Sequence, residues 1–153
     1  MNLQAAHALL LKEGFVVQSF GVGNRVKLPG ASKSDPNVYQ FGEATYDSIY
    51  KDLVAKDEAL ETRFDVAITF EERVMEQLVE DMNSRQQVSM KPLLVLNIDV
   101  KDSYQEAAKA APLAAKLCEM IAESEDWESE VDDIVHRFER ETKKRPIYTI
   151  CWY

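Results

Sequence analysis

Leu93 to Val100, LLVLNIDV, is the most continuous apolar run in the chain and follows Pro92. A strand that is apolar at successive positions has no face to give to water. It belongs in a sheet covered on both sides, the setting of parallel strands in α/β folds. The neighbouring patterns agree. Val66 to Thr69, VAIT, is short and β-prone, and Glu71 and Glu72 open a helix with Val74, Leu78, Val79 and Met82 on one face. Ser103 and Glu106 have the spacing of a capping box, which starts an alanine-rich helix through Leu117 and Ile121. A last helix from about Glu125 puts Trp127, Val131, Ile134, Val135 and Phe138 on one stripe; Pro146 ends it, and IYTICWY then forms an edge strand or a packed tail.

The amino-terminal third is more broken. Ala5, Ala6, Leu9 and Leu10 share a helical face, and Gly14 falls where a left-handed cap would end that helix. Phe15 to Phe20 is expected to be a short strand. Gly21 and Gly23 break it into a loop carrying Arg25, Lys27 and Pro29, and Ala31 to Asn37 is turn-forming. From Tyr46, the spacing of Ile49, Tyr50, Leu53, Val54 and Leu60 predicts a second helix ending near Arg63. Alternating strands and helices give an α/β layered sheet with right-handed crossovers and helices on both faces. The length of 153 residues corresponds to one domain, residues 1–153, with no internal repeat.

Charge and cysteines narrow the function classes. Lys and Arg number 18 against 27 Asp and Glu, a formal charge of −9, which repels nucleic-acid backbones. Direct nucleic-acid binding is not expected, and an anionic ligand needs a local pocket that opposes the overall field. No apolar run approaches the length of a membrane span. Cys118 and Cys151 sit in no Cys-x-x-Cys or Cys/His metal spacing, and the two histidines, His7 and His136, cannot complete a Ser/His/Asp triad or a metal centre. His7 reads as a structural helix residue and His136 as solvent-facing. GVGN is a lone G-x-G and points to no dinucleotide site. The acidic run ESEDWESEVDD reads as a solvated start to the last helix.

Gly14 to Gly30 (GFVVQSFGVGNRVKLPG), PNVYQF, FEERVMEQLVEDMNSRQQ, LNIDVKD and YTICWY together resemble the cysteine-dependent phosphatases of the RNA polymerase II C-terminal domain. The resemblance covers most of the chain. It implies a fold like that of the low-molecular-weight tyrosine phosphatases and hydrolysis of phosphoserine in the polymerase heptad, with the following proline bound in cis. It further implies a role in transcription and mRNA 3′-end processing, a nuclear location, a symplekin-like scaffold of the cleavage and polyadenylation machinery as partner, and no metal or other cofactor.

The family's nucleophile lies in a C-x-x-x-x-x-R-S loop after a first buried strand. Aligned on Ala6 and His7, the family's Arg falls at Asn2, its Ser at Leu3 and its Cys before Met1. The first strand and phosphate loop are therefore expected to be missing, and the domain to be incomplete at its amino terminus. Asn2 cannot replace a guanidinium that grips two phosphate oxygens. Cys118, among apolar helical neighbours, should have a raised pKa, and Cys151 precedes no phosphate loop.

The family's D-x-x-D matches Asp99 to Asp102, and the resemblance makes Asp102 the general acid; locally, both carboxylates also suit the start of a helix. KLPG, Lys27 to Gly30, lies where the family builds one groove wall, so Lys27 and Pro29 are candidate substrate contacts, with a solvated surface lysine as the plainer reading. The family's long basic insertion is reduced here to Thr62 and Arg63. Two functions stand: a phosphoserine phosphatase relative without its nucleophile, and a noncatalytic module that binds the processing scaffold.

Overall fold

The computed structural model describes residues 4–19, 25–32, 35–40, 64–101 and 103–153, and within 25–32 and 35–40 the course of the backbone. It divides into two compact units, Met1–Val17 with Asp65–Tyr153, and Gln18–Phe64.

The larger unit contains helix α1 (Gln4–Lys12). Its end is set by Gly14 at φ +91°, with Phe15 N–H bonded to Leu10 C=O at 3.1 Å and Gly14 N–H to Leu11 C=O at 3.1 Å. This pair of bonds is the Schellman cap that the glycine predicted. Phe15 to Ser19 form no strand, contrary to expectation. An isolated β-prone run gains little without a ladder partner, and none is present among the described residues.

Calling the strands of the smaller unit β1 (Arg25–Ser32) and β2 (Asp35–Gln40), they pair as an antiparallel hairpin, with Val26 opposite Tyr39, Leu28 opposite Asn37 and Ser32 opposite Asp35. The expected loop around Arg25, Lys27 and Pro29 is thus a strand. The breakers are local, whereas the partner Asn37–Gln40 lies outside a local reading. Pro29, which cannot donate a ladder bond, falls in the irregular register between Leu28 and Ser32. The helix expected from Tyr46 to Arg63 lies outside the described residues.

In the larger unit β3 (Val66–Thr69), β4 (Pro92–Asn97) and β5 (Ile147–Trp152) form a sheet in the order β3-β4-β5. β3 and β4 are parallel, Val66 facing Leu94 and Thr69 facing Asn97; β5 runs antiparallel, from Asn97 opposite Ile147 to Pro92 opposite Trp152. The sheet is therefore mixed rather than wholly parallel, because the short turn after the last helix feeds IYTICW back along β4.

Helices α2 (Glu72–Ser84), α3 (Tyr104–Ala122) and α4 (Trp127–Thr142) complete the unit. Strand parity sorts the core. Leu94 and Leu96 join Val66, Ile68, Tyr148 and Ile150 in one cluster with Ala110, Ala114, Leu117, Ile134 and Phe138. Leu93, Val95 and Cys151 are buried on the other face, where α2 meets all three strands and buries Met75 and Met82. Both faces are covered, and Leu94, Val95 and Leu96 have no exposure at all. The alanine-rich side of α3 lets α1 approach closely, with Ala6 in the shared core. No helix among the described residues is long and apolar enough to cross a membrane.

Candidate functional site at the carboxyl ends of the parallel strands

Parallel strands offer ligands their carboxyl ends, where the following turns and helix starts converge. Here β3 and β4 finish side by side at Thr69 and Asn97. The ladder continues into the turns: Ile98 N–H bonds to Thr69 C=O and Val100 N–H to Phe70 C=O, both at 3.0 Å. The backbone on either side of Asp99 is thereby tied to the neighbouring strand.

Thr69 and Asn97 are the buried polar residues of this end, 6% and 1% exposed. Thr69 Oγ1 donates to Asn97 Oδ1 at 2.8 Å, and Asn97 Nδ2 donates to Asp99 Oδ1 at 3.3 Å. A buried hydroxyl thus fixes the amide, and the amide holds an exposed carboxylate. Ser103 then caps α3, its Oγ accepting from Glu106 N–H at 3.2 Å, as the capping spacing predicted. The Glu106 side chain does not reach back; it bonds to Lys109 Nζ at 3.0 Å.

Asp102 lies between Lys101 and Ser103 but outside the described residues. The backbones of Lys27 and Pro29 lie on β1, in the smaller unit, and their side chains are likewise outside. Sequence reasoning did not single out Thr69 and Asn97. Their signal is the lone amide in the LLVLNI run, since a buried polar group in an apolar strand needs a partner.

Neither cysteine has the surroundings of a nucleophile. Burial pushes the Cys118 thiol up to about 11, with the Glu119 carboxylate adding to the effect, and burial raises Cys151 as well. Cys151 also pairs with Leu93, at the opposite end of β4 from Asn97. His7 is half-buried on α1 and His136 is exposed on α4. Among the described residues no group of His, Cys, Asp or Glu is arranged to hold a metal. A depression between α3 and α4 is lined by Glu123, Glu130, Asp133 and Arg137, but it opens at the far end of α3, about 28 Å from the start of that helix.

The family described as Ssu72-like protein matches residues 3–63 and 58–153, nearly the whole chain. The chain belongs to the Ssu72 family. The RNA polymerase II C-terminal domain phosphatase SSU72 of Bos taurus is 39% identical over 174 residues, which covers 97% of this chain and 89% of the relative. A crystal structure of the serine phosphatase of the polymerase C-terminal domain from Drosophila melanogaster aligns with TM-score 0.72 and 34% identity, over 98% of this chain and 92% of that one. A second D. melanogaster structure, of Ssu72 with Symplekin bound to a cis peptidomimetic phosphoserine peptide, aligns with TM-score 0.72 and 32% identity, over 97% and 90% of the two chains.

The Ssu72 alignment also locates a difference. It spans 174 positions whereas this chain has 153 residues, so the bovine relative holds residues inside the match that are lacking here. The family match breaks into two stretches that overlap at 58–63, which includes Thr62 and Arg63, where the reduced insertion is expected.

Proposed function

We propose that this chain recognises phosphoserine in the C-terminal domain of RNA polymerase II, in the nucleus, during transcription and mRNA 3′-end processing, in company with a symplekin-like scaffold. The observation that carries this reading is the 39% identity to an SSU72 phosphatase across 97% of the chain. The fly Ssu72 structure that holds both Symplekin and a phosphoserine peptide supports the choice of ligand and partner.

Residues 1–153 act as one phosphatase-like domain in this reading. Asp102 is the acid that would protonate the departing serine oxygen, and Lys27 and Pro29 form part of the peptide groove. Asn97 positions Asp99 at the start of the same turn. In the reaction of cysteine phosphatases a thiolate attacks phosphorus and the serine oxygen leaves with a proton. These residues hold an acid but no low-pKa thiol, so alone they bind and do not turn over.

Fluorescence anisotropy with matched polymerase-repeat peptides tests the reading. The phosphoserine peptide binds and the unphosphorylated one does not, and Lys27→Gln weakens binding by about threefold, as loss of one exposed charge contact should. Equal affinity for the two peptides contradicts it. The module reading draws on the Symplekin complex of the fly relative. It predicts capture of a symplekin fragment with no phosphate-dependent peptide binding.

A further inference from the structure

The chain carries a net charge of −9, yet five of its 18 Lys and Arg, Lys101, Lys109, Lys143, Lys144 and Arg145, belong to segments that meet at one end of the larger unit. Asn97, the last residue of β4, pairs with Ile147, the first of β5. Adjacent strands lie about 4.8 Å apart, so the turn that leaves β4 and the segment that enters β5 run side by side. The first contains Lys101; the second contains Lys143, Lys144 and Arg145, all exposed. Lys109 stands one turn into α3. Glu106 registers their joint presence: its carboxyl is held below the ordinary value first by the hydrogen bond and charge of Lys109, and further by the charges of Lys144 and Lys101.

The segment before β5 is ordered rather than trailing. Thr142 Oγ1 donates to Phe138 C=O at 2.7 Å and accepts from Lys144 N–H at 3.3 Å, Lys143 is fixed in the left-handed region at φ 61°, and Pro146 is buried. Basic residues at a helix carboxyl end favour the macrodipole, which accounts for Arg140 and Lys143. It does not account for Lys144 and Arg145 beyond the cap, or for Lys101 across the sheet end. Lys109 is matched by Glu106 and Arg145 loosely by Glu139 at 3.9 Å, but Lys101, Lys143 and Lys144 have no ion pair among the described residues.

We propose that Lys101, Lys143, Lys144 and Arg145 form a cationic rim at the carboxyl end of the parallel strands that takes a second phosphate of the same peptide. The preferred ligand is then a multiply phosphorylated peptide. This rests on the phosphoserine reading above and adds a specificity to it. A small basic rim in a strongly acidic molecule suits a short anionic peptide better than a continuous nucleic-acid backbone.

The test uses the full chain and three peptides of one sequence: unphosphorylated, with one phosphoserine, and with two phosphoserines three residues apart. The second phosphate should strengthen binding by about fivefold, the effect of a few exposed charge pairs, and the gain should shrink in high salt. In the variant Lys143→Gln, Lys144→Gln, Arg145→Gln that gain should vanish while affinity for the singly phosphorylated peptide is kept. No gain in the wild type, a gain that survives in the variant, or RNA of equal charge binding as tightly as the doubly phosphorylated peptide overturns the rim. A singly phosphorylated peptide that binds no better than the unphosphorylated one instead overturns the phosphoserine reading, and the rim falls with it.

Discussion

Asn97 brings an amide into a sheet that is otherwise apolar, and it is tolerated because Thr69 and Asp99 meet its two ends. Thr69→Val keeps the shape and removes the donor to Asn97 Oδ1. An unmet buried acceptor costs about 1–3 kcal/mol, so urea unfolding should show a loss of that size; a neutral substitution would mean that Asn97 finds another partner. Cys118 tests burial in a different way. Its thiol is raised from an ordinary value near 9 to about 11, so the folded chain holds this proton where an unfolded chain has released it. That contribution to stability is whole below about pH 9 and is lost as pH rises toward about 11. Stability should therefore fall across that window, and by roughly 1–2 kcal/mol less in Cys118→Ala. An identical decline in the variant would assign the effect to other groups. The raised thiol was legible in the sequence from the apolar neighbours of Cys118. The Thr69–Asn97–Asp99 chain was not, because Thr69 and Asn97 stand 28 positions apart.

Among the elements, α3 contains its own weak point. Pro112 lies inside the helix and is exposed, and it removes one backbone donor while crowding the carbonyl four residues earlier. Pro112→Ala should raise stability by about 1–3 kcal/mol in denaturant unfolding. A loss instead would show that Pro112 helps to seat Ala110 and Ala114 against α1. Gly14, at φ +91°, has open space where a side chain would go, so only backbone strain opposes Gly14→Ala, with an expected cost of about 1 kcal/mol. Both helix ends and the apolar stripe of α4 were readable because caps and 3.6-residue periodicity are local signals. Val131, Ile134, Val135 and Phe138 are buried as the stripe predicted. The hairpin of β1 and β2 was not readable, because a strand exists only with its partner. The same reason removes Phe15 to Ser19 from the strands: β-propensity alone did not suffice.

At the scale of the molecule, β3 and β5 are the outer strands of the sheet among the described residues, and Ile147 on β5 is 50% exposed. Open strand edges with apolar side chains pair with other chains. Sedimentation should show self-association that rises with concentration, and Ile147→Lys should shift the chain toward monomer; a wild type that stays monomeric contradicts this. The fold class was legible in LLVLNIDV and its flanking helices, and the family was legible in motifs spread over the whole chain. Of the site, the Ser103 cap was legible in its spacing, whereas Asp102 and the side chains of Lys27 and Pro29 lie outside the described residues. The chain belongs to the Ssu72 family, and the proposal that residues 1–153 bind phosphoserine without turning it over is checked most directly by phosphate release from a phosphoserine polymerase-repeat peptide. No release above background is expected from the purified 153-residue chain. Vanadate-sensitive release that disappears on Cys118→Ser or Cys151→Ser would contradict it.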